Sequence, residues 1–305
     1  MALWRNYLQP KTLSEAMDAL ATAARPVIPI AGGTDLLLDL EQRRHDPVQT
    51  VMDVTSISEL TLLEQRGEEL FIGAAVPVNR IVHHPLAVTH AQALTEACNL
   101  IAGPQVRNVA TLGGNVAHAL PAADGTIALL ALNSEAEIAS AGRVAVSDSE
   151  RHIETRRIPF KDLFLGPGKS SLKHGEELIV GFYIKTFRDS KSLKVSSCFK
   201  RIMRPQGVAL PILNCAVWLE REGNTIEDIR IAVGPGGGTP FRATQAEDIL
   251  RGKSFNGETF ESALEPLLAQ AQFRTSARRA TADYRRHIVS GLFRDVVETA
   301  WKRTS

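Results

Sequence analysis

Two short loops carry the residue types from which an anion site can be built. The first is Ala31-Gly32-Gly33-Thr34-Asp35 and the second is Thr111-Leu112-Gly113-Gly114-Asn115. Adjacent glycines remove the Cβ atoms that hold other groups away from the backbone, and they permit positive φ. Successive N–H groups can then converge on an anion as a nest. The loops stand about 80 residues apart and could clamp the two halves of a pyrophosphate, with Thr34, Thr111 and Asn115 adding uncharged donors. A Gly-Gly pair is also what an ordinary turn uses, so spacing alone leaves both readings open.

Other signatures are missing. No G-x-G-x-x-G follows the first strand, so a Rossmann dinucleotide site is unsupported. Gly168-Lys169-Ser170 ends like a P-loop, but the leading glycine position is Leu163. Gly234-Pro235-Gly236-Gly237-Gly238 has no lysine and reads as a surface turn. There is no H-E-x-x-H, and the adjacent His83 and His84 cannot face one metal from one side of a helix. Cys98, Cys198 and Cys215 are scattered and too few for a Cys₄ zinc or iron–sulfur site. They are expected as buried free thiols. No catalytic or metal-ligating residue is assigned to this chain.

The elements that must position the loops can be read from periodicity. Thr12 to Glu15 fits a capping box, and Leu13, Ala16, Met17 and Leu20 share one helical face. Pro26 ends that helix, and Val27 to Ile30 forms a short buried strand leading directly into the first loop. A strand over 50–54 and a hairpin around Glu64 to Glu69 follow. A helix spans 90–101 and stops at Gly103-Pro104 before the second loop. Strand-like stretches at 178–184, 196–201, 213–220 and 229–233 precede helices at 243–250, 260–270 and 277–302. This is an α+β order of strands then helices. The expected domains are 1–56, 57–175 and 176–305.

Composition narrows the function classes. The chain has 305 residues, 44% of them apolar, enough for ordinary cores. Its 35 Lys+Arg against 34 Asp+Glu give a formal charge of +1, which lacks the basic excess of a nucleic-acid binder. Met1 to Pro10 has no secretory apolar stretch, and no run approaches a membrane span. A soluble, cytoplasmic protein is expected.

The wording of the loops is more specific than their spacing. Ile30-Ala31-Gly32-Gly33-Thr34-Asp35-Leu36 resembles the first FAD loop of the molybdenum hydroxylase flavoproteins, the medium subunits of bacterial xanthine dehydrogenases and aerobic carbon monoxide dehydrogenases. The segment from Ile101 to Asn115, I-A-G-P-Q-V-R-N-V-A-T-L-G-G-N, resembles the second, and Pro121-Ala122-Ala123-Asp124 continues it. Gly166-Pro167-Gly168-Lys169, Phe199-Lys200-Arg201, Thr239-Pro240-Phe241-Arg242-Ala243 and Ala282-Asp283-Tyr284-Arg285-Arg286 are similar to later family segments in the same order.

The resemblance implies an FAD-binding module of the vanillyl-alcohol oxidase and p-cresol methylhydroxylase type. A C-terminal domain like that of the carbon monoxide dehydrogenase flavoprotein, an antiparallel sheet covered by helices, would follow it. Pro29, Ile30, Ala31, Gly32, Gly33, Thr34, Asp35 and Leu36, with Ala110, Thr111, Gly113, Gly114 and Asn115, would hold the pyrophosphate and its neighbouring ribityl and ribose groups. Asp124 would accept hydrogen bonds from FAD. Leu178 and Ile179 would supply an apolar contact, to within one residue. Ile101 stands where some relatives carry an aromatic residue, which removes stacking but keeps an apolar contact. Lys200 would place a cation near the flavin, favouring its anionic reduced form.

The implied role is electron transfer. A molybdenum cofactor in a large subunit would hydroxylate the substrate. The [2Fe–2S] clusters of a small subunit would carry electrons to FAD, and NAD, dioxygen or another carrier would accept them. A heterohexamer with two copies of each of the three subunits is expected. No Cys-rich insert for a [4Fe–4S] cluster is present, which argues against the subtypes that carry one. The alternative is a stand-alone flavin reductase or oxidase on the same fold, akin to UDP-N-acetylenolpyruvoylglucosamine reductase. It needs an acid or base beside the flavin, and none stands out. A third reading, a non-catalytic protein that kept the fold, would show damaged loops, whereas Gly32, Gly33, Gly113, Gly114 and Asn115 are all present. The basic residues Arg274, Arg278, Arg279, Arg285 and Arg286 are left as a solvated helix face or a subunit contact.

Overall fold

A computed structural model describes residues 2–141, 153–187, 192–204, 210–277 and 279–304; Arg278 lies outside the described residues. The chain begins with a parallel sheet of β1 (Trp4–Leu8), β2 (Val27–Ile30) and β3 (Val48–Asp53), in the order β1-β3-β2. Helix α1 (Leu13–Thr22) connects the first two strands. The Thr12 hydroxyl accepts the Glu15 N–H at 3.2 Å, and the Glu15 carboxylate reaches back to the Lys11 N–H at 2.6 Å. Leu13, Ala16, Met17 and Leu20 are buried as the spacing requires. Each large side chain so buried contributes about 2 kcal/mol. Helix α2 (Leu36–Glu41) follows β2 through the first glycine loop.

The second sheet holds β4 (Leu63–Arg66), β5 (Glu69–Gly73), β6 (Glu135–Ala141) and β7 (Ile153–Pro159). A short ribbon, β8 (Phe164–Gly166) and β9 (Lys169–Ser170), precedes β10 (Glu177–Lys185), and the sheet order is β4-β5-β10-β6-β7. Between β5 and β6 run α3 (Val78–His83), α4 (Pro85–His90), α5 (Gln92–Leu100), α6 (Pro104–Arg107), α7 (Leu112–Ala117) and α8 (Asp124–Ala131). Strand β10 corrects one expectation: it does not open the third domain but forms the centre of this second sheet, flanked by β5 and β6. Eight of its nine residues are buried, as a strand covered on both faces must be. A boundary at 175/176 would therefore separate a central strand from its neighbours. We place it instead between β10 and the next strand.

That strand, β11 (Leu193–Ile202), starts an antiparallel sheet with β12 (Leu213–Glu222), β13 (Thr225–Gly234) and β14 (Phe241–Arg242). Helices α9 (Thr244–Leu250), α10 (Gly257–Gln270) and α11 (Ala282–Arg303) share its second core, which includes Phe260, Val289 and Phe293. The other face of the sheet meets the second domain. There the Ser197 hydroxyl accepts the Ala93 N–H at 3.0 Å, and Glu96 accepts the Phe199 N–H at 2.8 Å and pairs with Arg303. Cys98 lies in the first core, Cys198 and Cys215 in the second, and all three are buried and free.

A single carboxylate ties the start of β10 to β7 across the intervening strand. Glu177 accepts both Arg156 guanidinium nitrogens, at 2.8 and 3.2 Å, and the Lys173 N–H at 2.9 Å. Burial pushes its carboxyl up, but Arg156 and the Lys173 N–H outweigh burial and hold it below the usual range. A depressed folded value stabilises the protein above the unfolded value of about 4.3 and is lost as pH falls through the folded one. Glu177→Gln is expected to cost about 2 kcal/mol at neutral pH. It should also flatten the acid limb of stability in denaturant titrations below about pH 4. An acid limb of unchanged steepness would refute this assignment.

Candidate functional site

The loops converge on a cavity of about 790 Å³ at the meeting of the three sheets. That volume falls within the range of roughly 300–1,000 Å³ usual for small-molecule and cofactor sites. The first loop enters it at the carboxyl end of β2, the edge of a parallel sheet where ligands commonly bind. Pro29, Ile30, Ala31, Gly32, Gly33, Thr34, Asp35 and Leu36 all line it. Gly33 takes φ +68°, which a Cβ would strain. Gly32 lies against the second segment so closely that a Cβ would sit 2.2 Å from the Val109 carbonyl oxygen. The two loops thus touch through backbone, which explains why one needs a glycine where it meets the other.

The loops are not equivalent, and this amends the paired-nest reading. In the first, the N–H groups of Gly32, Gly33, Thr34, Asp35 and Leu36 donate to no backbone carbonyl of the described residues. In the second, Leu112 N–H donates to Val76 O, Gly113 N–H to Ala74 O and Gly114 N–H to the Thr111 hydroxyl, at 3.2, 2.8 and 3.1 Å. Those donors cap α7 and anchor it on the second sheet. The second loop therefore offers the cavity its small size at Gly114 and its side chains at Thr111 and Asn115, with Ala110 beside them. Asn115 Oδ1 is buried without a hydrogen-bond partner among the described residues. Such an orphaned acceptor is costly unless a ligand donor meets it.

Ile101 lines the same cavity, next to Ala102, whose φ of +44° is a rare conformation for a residue with a Cβ. Arg107 holds that turn by donating to the Ile101 and Ala102 carbonyls at 3.1 and 2.8 Å. Strained backbone maintained in this way is typical of ligand-contacting turns.

Asp124 opens α8 at the cavity wall and is 4% exposed. Arg201 and Asn214 face each other across β11 and β12, and both reach Asp124. Asn214 donates to Oδ1 at 2.7 Å and also to the Ala122 carbonyl at 3.0 Å. Burial pushes the Asp124 carboxyl up, while the Arg201 guanidinium and the Asn214 amide pull it back. The Arg201 side chain is only 6% exposed, and its Nε is buried without a partner at the cavity. The ion pair fastens the third sheet to the second domain and forms part of the wall.

Four of the residues singled out from sequence lie elsewhere. Gly113 is buried against Ala74, where a Cβ would approach to 2.6 Å. Leu178 and Ile179 are buried within β10 and line no part of this cavity. Lys200 pairs with Asp295 at 2.6 Å and lines a separate cleft of about 370 Å³ with Leu100 and Gly291. Strand parity is the cause: in β11 adjacent side chains point to opposite faces, so Arg201, not Lys200, reaches the large cavity. Sequence reasoning also gave no site role to Arg274, Arg279 and Arg285, which line the cavity from the third domain. Their clustering was visible as a basic tail, but its direction was not. Among the described residues, no group of His, Cys, Asp and Glu could hold a metal ion, and no helix is long and apolar enough to cross a membrane.

Comparisons with known proteins agree with this architecture. Residues 3–184 match the family model described as the FAD binding domain in molybdopterin dehydrogenase, and residues 197–300 match the CO dehydrogenase flavoprotein C-terminal domain. The chain is 33% identical over 300 residues to the nicotine 6-hydroxylase medium subunit of Paenarthrobacter nicotinovorans, with 98% of each chain covered. It is 30% identical over 298 residues to a xanthine dehydrogenase FAD-binding subunit of Escherichia coli, covering 97% of this chain and 95% of that one. Among solved structures it is similar to a chain of the carbon monoxide dehydrogenase of Hydrogenophaga pseudoflava, with a TM-score of 0.85, 27% identity and 98% of both chains covered.

Proposed function

Because the chain belongs to the family of FAD-binding subunits of molybdenum hydroxylases, oxidoreductases with separate subunits for their cofactors, we propose that its cavity holds FAD and that it serves as the electron-transfer subunit of such an enzyme. It would take electrons from the [2Fe–2S] clusters of a small partner subunit and pass them to NAD, dioxygen or another acceptor. The molybdenum cofactor would lie in a large partner, within a cytoplasmic complex of two copies of each subunit. The observation that carries this reading is the cavity itself, with two glycine loops meeting in backbone contact on one wall.

The residues present fit FAD. The first loop offers backbone N–H groups that make no backbone bonds, suited to phosphate oxygens. A Cβ at Gly114 would meet only the Thr111 hydroxyl, at 3.2 Å, so this position leaves a groove that a side chain would fill. Asn115 Oδ1 and Arg201 Nε are an acceptor and a donor still available. Ile101 supplies an apolar surface beside the strained Ala102 turn. Bound FAD supplies the reversible one- and two-electron chemistry that side chains lack. The free N–H groups of the first loop, Asn115 Oδ1 and Arg201 Nε would hold and orient it. Leu178, Ile179 and Lys200 lie outside this cavity and take no part in that fit.

The purified chain should be yellow, or become so with added FAD, and should release intact FAD on denaturation. Coexpressed partners should bring molybdenum and iron. A chain that stays colourless after reconstitution, alone and with partners, would exclude this function. Turnover of an organic substrate by the isolated chain would instead favour the stand-alone flavoenzyme.

A further inference from the structure

The third domain lines the cavity with three guanidinium groups that have no carboxylate partner among the described residues. Arg274, Arg279 and Arg285 all face it, and none forms a salt bridge with a described acidic group, whereas Arg201 is paired with Asp124. The carboxylates that line the cavity from the first domain stand on the facing wall: Asp35 in the first loop and Asp39 in α2, where Asp39 pairs with Arg44 at 3.4 Å. Arg285 is 3% exposed, yet among the described residues its guanidinium is held only by the Ile212 carbonyl at 3.0 Å and the Arg274 carbonyl. Burial lowers its pKa, and the charges of Arg279 and Arg274 lower it further. Burying a cation with like charges around it is costly unless an anion is bound there.

The opposite wall has the complementary shortage. The glycine loops carry no cation, and the second loop has already committed the N–H groups of residues 112–114. A dinucleotide diphosphate placed there would have its shape met by the loops and its oxygens by the free N–H groups of the first, but the loops supply no formal cation to balance its charge. We propose that Arg274, Arg279 and Arg285 form the cationic wall of the cavity and bind the phosphoryl groups of a dinucleotide. This rests on the reading of the cavity as an FAD site. Arg285 acts from the first turn of α11 and also braces the loop that carries Arg274, through that residue's carbonyl. Arg274 is exposed and Arg279 half-buried, so both can change without disturbing a core.

The phosphoryl groups can come from FAD or from a second nucleotide bound beside it. The full-length chain, freed of flavin, would be titrated with FAD and with riboflavin at two salt concentrations. The flavin-loaded chain would be titrated with ADP. The variant is Arg274→Gln combined with Arg279→Gln, and Arg286→Gln, which alters an arginine that does not line the cavity, is the control. If FAD is the source, the double variant binds FAD about tenfold or more weakly, with a shallower salt dependence and riboflavin affinity unchanged. If a second nucleotide is the source, FAD binding is unchanged and ADP binding to the loaded chain is lost. Unchanged affinity for both FAD and ADP overturns the proposal. Failure of the wild-type chain to take up FAD is a separate result, which defeats the flavin reading.

Discussion

Gly114→Val is expected to lower FAD affinity by about 100-fold or more while leaving the protein folded, and Gly113→Val to destabilise the fold itself. The residues are neighbours, but their surroundings differ. At Gly113 a Cβ would come within 2.6 Å of both the Cβ and the carbonyl oxygen of Ala74, which is backbone that cannot move aside. Overpacking of that kind costs about 3 kcal/mol or more. At Gly114 a Cβ meets only the Thr111 hydroxyl at 3.2 Å, a contact that a shift of a few tenths of an ångström relieves while its cap on the Gly114 N–H is kept. The valine would therefore project into the cavity and occupy the space left for the ligand. Flavin content per chain and thermal melting of the two variants test the contrast. Full FAD occupancy in Gly114→Val would mean that the second loop is an ordinary turn.

Asp124→Ala should be the most destabilising single truncation at the site. It removes the partner of Arg201, whose side chain is 6% exposed, and the acceptor of the Asn214 amide. Removing one member of a buried ion pair costs about 3–5 kcal/mol, because the remaining charge is stranded. For a chain of this size that is a fall in melting temperature on the order of 10 °C. Replacing both members, Asp124→Leu with Arg201→Met, should recover much of the loss, since the stranded charge is then gone. A single variant within about 0.5 kcal/mol of wild type would show that water reaches Arg201 and that the pair does not fasten the third domain.

The sequence was most informative where local chemistry decides structure. The Thr12 cap, the face Leu13-Ala16-Met17-Leu20 and the strand leading into Gly32-Gly33 depend on neighbours within a few positions, and all appear, although of that strand, read as buried, only Val27 is fully so. Fourteen of the expected site residues line one cavity, because the loops that carry them have distinctive wording. What was not legible depends on distant pairing. Strand β10 looks, by its position along the chain, like the start of the third domain, and only its ladders with β5 and β6 place it in the second sheet. The choice between Lys200 and Arg201 turns on the parity of β11, which is set by pairing with β12 and cannot be read from composition. The basic tail was visible as charge, but its approach to the cavity follows from α11 docking on the third sheet.

The three thiols are sealed inside the cores. Burial, followed by the Glu96 charge, pushes Cys198 up to about 12. At pH 7 that leaves roughly one thiolate in 10⁵, and burial raises Cys98 and Cys215 further. Peroxide oxidises a cysteine mainly as its accessible thiolate. On this chain peroxide finds no accessible cysteine thiolate, so the packing that builds the fold also shields its thiols from conversion to sulfenic and sulfonic acid.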